Sequence, residues 1–467
     1  MNPQLALILG YSALLILLGV WAGRKVRTAA DFFVAGRGLG PGLLSATLLA
    51  ANIGAGTSVG AAGLGYRAGL SAWWWVGSAG IGSVALALWV GPRLWRIAAK
   101  HDLRTVGDYL ELRYGRSVRG VVASLLWFNT LVILAAQLIA LALVLEVVAG
   151  IPRLAGSVIG GLVMTTYFVA GGLFSSARVN LVQLAVLLVG LCTVLAVAVM
   201  NLGGWAAVRA PTRSLDTYWS FWHGAGAGWV LVPMLAPAFM ISPGLVQKVY
   251  GARDVRAVRR GVGLNAGVLL LYAFVAALLG MVARAAAPAL ADPELALPTL
   301  LLHHVPVWLG SLGLAALFSA EVSTADTILF MLATSMSQDL YKGFVRPSAS
   351  DAEVLRVARW AAIVGGALGV VLAASAASII ATLKIFYSVM TVCLFVPIVA
   401  GLHIRRAGTP EALAAIGAGL CAWAAFFVAT DGQGVGFVQP EVVGLCASGV
   451  GLAVVLWING PPRMRGE

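Results

Sequence analysis

Apolar stretches follow one another along almost the whole chain, separated by short polar segments. Windows long enough to cross a bilayer lie near 4–21, 41–65, 71–97, 118–149, 153–170, 176–202, 226–248, 258–284, 306–338, 355–376, 379–402, 411–430 and 440–458. A spanning helix needs roughly 20 mostly apolar residues, because the hydrocarbon layer is about 30 Å thick. The pattern predicts an all-α membrane protein with thirteen transmembrane helices. No linker or low-complexity run interrupts the series, so residues 1–467 are read as one transmembrane domain. Within it, 4–21 is an extra N-terminal helix, 41–402 a core, and 411–458 a pair of C-terminal helices.

Two windows carry residues that oppose a continuous helix. The run Ala50-Ala51-Asn52-Ile53-Gly54-Ala55-Gly56-Thr57-Ser58 places two glycines, an asparagine and two hydroxyls at mid-window. The second window contains Pro233, Pro237 and Ser242-Pro243-Gly244, and each internal proline removes a backbone hydrogen bond. A free backbone group in hydrocarbon costs several kcal/mol unless it is buried in protein or lines a cavity. Transporters use such gaps to bind solutes and ions. The breaks fall in the second and seventh windows, five helices apart, so the second helix runs opposite to the first. That spacing predicts a 5+5 inverted repeat with discontinuous helices 1 and 6, one helix before it and two after.

Composition supports the membrane reading. The chain is 60% hydrophobic and 10% charged, with a mean hydropathy of +0.94, where soluble proteins are about 25% charged. A net charge of +13 would suggest nucleic acid in a soluble protein. Here the basic residues lie in short stretches between apolar runs, so nucleic acid is excluded and the lipid bilayer is the expected surrounding. With the N-terminus outside and the C-terminus cytoplasmic, the inside segments hold 25 of the 31 Lys and Arg, as the positive-inside rule requires. The outside segments hold Arg67, Arg153, Arg209, Arg213 and Arg284, and Lys384 falls within a window. The basic cluster Arg24, Lys25 and Arg27 follows the first window instead of preceding it. That order marks a retained helix, not a cleaved signal, and the cytoplasmic (inner) membrane is the expected location.

The ninth window contains Ser319-Ala320-Glu321-Val322-Ser323-Thr324-Ala325-Asp326-Thr327. At 100° per residue, Ala320, Ser323, Thr324 and Thr327 share a helix face. Their hydroxyls form an oxygen-rich stripe in apolar surroundings, which suits a hard monovalent cation such as Na+. No window carries paired metal ligands or a Ser/His/Asp set, so an enzyme is not expected. The cysteines, Cys192, Cys393, Cys421 and Cys446, lie in apolar runs without CxxC spacing.

Six short segments in order resemble the sodium:solute symporter family, whose members share a leucine-transporter-like core. They are Asp31-Phe32-Phe33-Val34-Ala35-Gly36-Arg37, Ala50-Ala51-Asn52-Ile53, Gly171-Gly172-Leu173 with Gln183, Pro243…Gln247-Lys248, Ser323-Thr324-Ala325-Asp326, and Asp339-Leu340-Tyr341. The resemblance covers nearly the whole chain. It implies sodium-coupled symport of a small organic solute by alternating access, with a single copy sufficient. It also implies a sodium site made of the backbone carbonyls of Ala50, Ile53 and Ala320 and the hydroxyls of Ser323 and Thr324. Many members have Thr-Asp where this chain has Val179-Asn180, and the loss of that aspartate implies one sodium per cycle.

The solute is expected beside the breaks, near mid-membrane. Candidate contacts are Asn52, Thr57, Trp75, Asn129, Gln137, Met240 and Ser242. Aromatic gating residues of the kind sugar-transporting members carry on core helix six are not evident, which ranks an organic acid or amino acid ahead of sugar. Glu321, Asp326 and Lys384 place charge within windows, which is costly and therefore functional by default. Asp326 is read as a hydrogen-bonding partner. Glu321 is expected to pair with Lys384, with solute contact or proton carriage as the other roles. A proton-coupled or sodium-independent carrier of the same fold is the alternative reading.

Overall fold

The computed structural model describes residues 35–459 except 214, 216, 225 and 377, together with Gly10, Ala13 and Leu17, and describes no side chain at 35, 167 or 169–182. Most of window 4–21, the cluster at Arg24, Lys25 and Arg27, residues 31–34 and the basic tail with Arg463 and Arg465 lie outside the described residues. The side chains of Gly171-Gly172-Leu173 and Val179-Asn180 do as well.

Helices dominate, and their order follows the apolar windows. Window 41–65 holds α1 (Pro41–Asn52) and α2 (Ala61–Ala68), joined through the wide turns Gly56–Gly60. Window 71–97 holds α3 (Trp73–Ala85) and α4 (Gly91–His101). A short helix, α5 (Val106–Tyr114), precedes α6 (Arg116–Ala149) and α7 (Arg153–Asn201). Window 226–248 becomes α8 (Val232–Ile241) and α9 (Pro243–Tyr250), followed by α10 (Val255–Ala286). A second short helix, α11 (Ala296–His303), precedes α12 (Val307–Thr334), which continues as wide turns over Ser335–Val345. The remaining helices are α13 (Asp351–Ser375), α14 (Ile379–His403), α15 (Thr409–Ala429) and α16 (Pro440–Ile458). Among the described residues, ten segments are long and apolar enough to cross a membrane.

Local sequence explains where these helices start. Thr105 and Asp108 form a reciprocal cap on α5, and Ser350 and Glu353 do the same on α13. Asp254 caps α10 and Ser378 caps α14. Each supplies an acceptor to a first-turn N–H that has no helical partner. Pro243 forces the preceding Ser242 into an extended conformation, φ −49° and ψ 124°, and so separates α8 from α9.

Windows 153–170 and 176–202 fall within the single 49-residue helical element α7. A straight helix of that length would run about 74 Å. Gly156 lies against Ala142 near the end of α6, and Asn201 donates to the His304 carbonyl before α12. Helices α6 and α12 run antiparallel, because Ser335 near the end of one bonds to Ala123 near the start of the other. Both ends of α7 therefore sit at the same face of the bundle, as two crossings require.

The two halves correspond at an offset of about 190 residues. The break after Asn52 matches the break at Ser242, and α5 matches α11. One face of the bundle carries most of the basic residues and most of the ties between elements. There Arg37 donates to the carbonyls of Tyr250, Ala98 and Leu103, and Arg119 binds Asp108, Glu111 and Asp339. Thr105 adds a hydroxyl bond to Asp339. These contacts close that face across α5, α6 and the end of α12.

Bare backbone contacts set some helix crossings. A Cβ on Gly280 of α10 would fall 1.9 Å from the Ala62 carbonyl of α2, and one on Gly65 would fall 2.3 Å from the Ala277 carbonyl. Gly280→Ala is expected to destabilise the protein by roughly 1–3 kcal/mol through overpacking, read as a lower Tm in detergent. Gly267→Ala, whose Cβ would meet nothing within 4 Å, is expected to leave Tm unchanged. Equal Tm values for the two variants would show that the α2–α10 approach is not limiting.

Candidate functional site

The break between α1 and α2 leaves backbone groups that helix geometry cannot satisfy, and side chains from elsewhere in the bundle bond to them. Gly54 N–H donates to Thr57 Oγ1 at 3.0 Å, and Thr57 Oγ1 lies 2.7 Å from the Asn52 carbonyl. Ala55 N–H donates to Gln137 Oε1 of α6 at 3.0 Å. Trp75 Nε1 of α3 donates to the Gly56 carbonyl at 2.8 Å. The carbonyls of Ala50 and Ile53 lie 2.8 and 3.1 Å from Thr324 Oγ1 of α12. A Cβ on residue 54 would fall 2.4 Å from that hydroxyl, so only glycine admits Thr324 this close.

Three oxygens of the expected sodium site thus converge in a dry interior. Ala320, Ser323 and Thr324 are all buried on α12, with Ser323 next to Thr324. Glu321, one residue along, is 0% exposed. Ser58 Oγ lies 2.7 Å from Glu321 Oε1 and 2.7 Å from the Gly54 carbonyl. Glu321 Oε2 has no hydrogen-bond partner among the described residues. A chain of contacts therefore runs from Glu321 through Ser58 to the break that Thr324 faces.

The expected pairing of Glu321 with Lys384 is corrected here. Helix α12 packs mainly on α6, α7 and α13, and α14 mainly on α6, α8 and α15. Glu321 faces Ser58, whereas Lys384 lines a cavity at the opposite, basic-poor face. The buried cation near the site is Lys248 of α9, whose Nζ donates to Thr327 Oγ1 at 2.9 Å within electrostatic reach of Asp326. Lys248 is the last residue of window 226–248, and α9 runs on to Tyr250 and buries it. A lysine at the inner end of an apolar window was the available signal.

A small central cavity of about 40 Å³ lies between the two breaks, lined by Asn52, Ser242, Thr327, Phe239, Phe386 and Tyr387 among others. It has room for water and not for an organic solute. Of the candidate solute contacts, Asn52 and Ser242 reach this cavity. Thr57, Trp75 and Gln137 are bonded to the backbone of the break. Asn129 donates to the Phe386 carbonyl, and Met240 is buried in the apolar core. Asn52 also donates to Asn265 at 3.0 Å. An aromatic residue does stand on core helix six: Phe239 packs on Tyr387 at 5.2 Å between centroids, and Tyr387 meets Trp75 at 6.2 Å. Period counting gave no sign of this contact, because the partner lies on another helix.

A wide cavity of about 610 Å³ opens above this aromatic cluster at the basic-poor face. Glu294 lies at its wall and accepts the N–H groups of Ile379 and Ile380 at the start of α14. Burial pushes the Glu294 carboxyl above its usual range, and the two N–H bonds pull it back. The wide cavity and the central cavity share no lining residue, and Phe239 and Tyr387 line only the central one.

The sodium:solute symporter family model matches residues 32–419. The chain is 29% identical over 444 residues to the sodium/pantothenate symporter of Escherichia coli, covering 88% of this chain and 89% of that one. It is 25% identical over 404 residues to the sodium/glucose cotransporter of Vibrio parahaemolyticus, covering 76% of this chain and 71% of that one. In fold it is similar to a Na+-coupled sialic acid symporter, with a TM-score of 0.81, 18% identity and 99% of each chain covered.

Thr57→Val removes the hydroxyl that serves both Gly54 N–H and the Asn52 carbonyl. It is expected to cost about 1–3 kcal/mol for the unpaired buried groups, measured as a lower Tm in detergent. A Tm equal to wild type would show that the break does not need this cap.

Proposed function

We propose that this chain, which belongs to the sodium:solute symporter family, performs sodium-coupled secondary active symport of a small organic solute across the cytoplasmic membrane by alternating access. The observation that carries the reading is the convergence of the Ala50 and Ile53 carbonyls on the Thr324 hydroxyl. Sodium favours neutral oxygen donors that can replace its hydration shell. The Ala320 carbonyl and the Ser323 hydroxyl lie on the same buried helix and complete the proposed set of five. Sodium, as cargo, would bridge α1 and α12 and so favour one arrangement of the two helices over the other. A ligand shifts an equilibrium only through such differential binding.

The solute is placed at the central cavity, which must widen to hold it. Its lining is mostly apolar, with Asn52, Ser242, Thr327 and Tyr387 as the side chains that carry polar atoms. A sugar needs a partner for each buried hydroxyl, and Asn52 is already engaged with Asn265. This supports an organic acid or amino acid with one polar end. The charge asymmetry supports a cytoplasmic basic-rich face. The sealed network at Arg119 and Asp339 is then the inner closure, and the wide cavity the outer vestibule. One sodium per cycle is proposed from Val179-Asn180.

Uptake in proteoliposomes under separately imposed sodium and pH gradients tests this reading. A sodium gradient alone is expected to drive accumulation of an organic acid or amino acid, with a Hill coefficient near one. The double variant Ser323→Ala, Thr324→Ala is expected to lose sodium-stimulated uptake at least tenfold while remaining monodisperse. Uptake driven by the pH gradient in the absence of sodium would overturn the sodium reading in favour of proton coupling.

A further inference from the structure

The vestibule holds two cations that the described residues leave unpaired. Lys384 of α14 and Arg67 of α2 line the same cavity of about 610 Å³. Among the described residues neither has an ion pair or a side-chain hydrogen bond. The ion pairs Arg37–Asp102, Arg119–Asp339, Arg253–Asp254 and Arg346–Glu353 all lie toward the opposite face. Carboxylates are not lacking in the vestibule. Glu294 is held by the N–H groups of Ile379 and Ile380, and Asp292 accepts from Glu294 N–H. Asp431 is exposed at the rim. Glu441 lies within electrostatic range of Lys384 and accepts a hydrogen bond from Ser388.

Depth distinguishes Lys384 from Arg67. Arg67 is exposed, whereas Lys384 is half-buried on a spanning helix. Lys384 precedes Tyr387 by three residues, so it stands about 4.5 Å higher along the helix axis. Helix α14 thus presents Lys384 to the vestibule and Phe386 and Tyr387 to the central cavity. Glu441 acts on this half-buried ammonium from a distance but makes no ion pair with it, so a closer anion in the vestibule would bind it more strongly than it would bind a surface lysine.

We propose that Lys384 is a specificity-determining residue that captures a carboxylate group of the solute at the floor of the vestibule, just above the aromatic barrier. Arg67 contributes long-range attraction from the rim. The solute class is a small organic monocarboxylate. This deepens, and rests on, the symport reading above: the carboxylate docks at Lys384, and the apolar body follows through Phe239 and Tyr387 when the barrier opens.

The test uses purified full-length protein and measures thermal stabilisation by propionate, lactate, nicotinate and N-acetyl amino acids, each matched with its carboxamide, and by glucose. At least one carboxylate is expected to bind about tenfold more tightly than its amide, as a charge-assisted bond implies. Lys384→Gln is expected to abolish that preference and Lys384→Arg to retain it, with the sodium-induced shift unchanged in both. Arg67→Gln is expected to slow association without removing the preference. Stabilisation by no carboxylate, equal stabilisation by acid and amide, or an undiminished preference in Lys384→Gln would each overturn the proposal. If the carboxylate binds just as tightly, and with the same preference over its amide, when sodium is replaced by choline, the sodium reading fails while the assignment to Lys384 stands.

Discussion

A helix interrupted inside a membrane must have its open backbone groups satisfied by other parts of the protein, and most of this site follows from that requirement. Free carbonyls and N–H groups in hydrocarbon cost several kcal/mol each. Here Thr57, Gln137 and Trp75 engage the groups around Asn52, Gly54, Ala55 and Gly56. The carbonyls of Ala50 and Ile53 both face the single hydroxyl of Thr324. One hydroxyl has one proton, so two carbonyls facing it retain lone pairs for a cation. The same break that threatens the helix creates the electronegative spot in the bundle. Gly54 permits it by lacking the Cβ that would strike Thr324.

The second break adds the other wall of the central cavity. Pro243 holds Ser242 extended, and Phe239 just before it closes against Tyr387. Toward the basic-rich face, Arg119 and Asp339 form the buried centre of an ionic cluster that Asp108, the partly exposed Glu111 and Thr105 extend. Such clusters contribute little net stability after desolvation, but removing one member leaves an uncompensated charge. Their value here is geometric, since they tie α5, α6 and the end of α12 into one closed face. The aromatic cluster of Phe239, Tyr387 and Trp75 has no ion pair among the described residues, and Trp75 ties it to the break through the Gly56 carbonyl.

Charge is distributed in accordance with that asymmetry. At one face Arg37, Arg119 and Arg346 engage carboxylates or carbonyls, while the vestibule holds two cations beside carboxylates that are bonded elsewhere or exposed at the rim. Lys248, in contrast, is fully committed to Thr327 and the Asp326 field at the level of the proposed sodium site. The protein thus places one buried cation as a structural element and another facing open space.

The membrane class, the order of the helices over the described residues, both breaks and the hydroxyl stripe on α12 could all be read from the chain. Each depends on residues within a few positions of one another: apolar run length, prolines and glycines, and the 100° turn of a helix. The six family segments added the correct pairing of Ala50 and Ile53 with Thr324, because they carry a known spatial relation that a single sequence does not express. Partners across helices were decided only by the tertiary structure. Glu321 met Ser58 instead of Lys384, Trp75 and Gln137 bonded to the backbone of the first break, and Phe239 met Tyr387. Those outcomes depend on helix rotation and neighbour choice, which are set by packing over the whole bundle. Local periodicity shows which residues share a face of one helix but not which other helix that face meets.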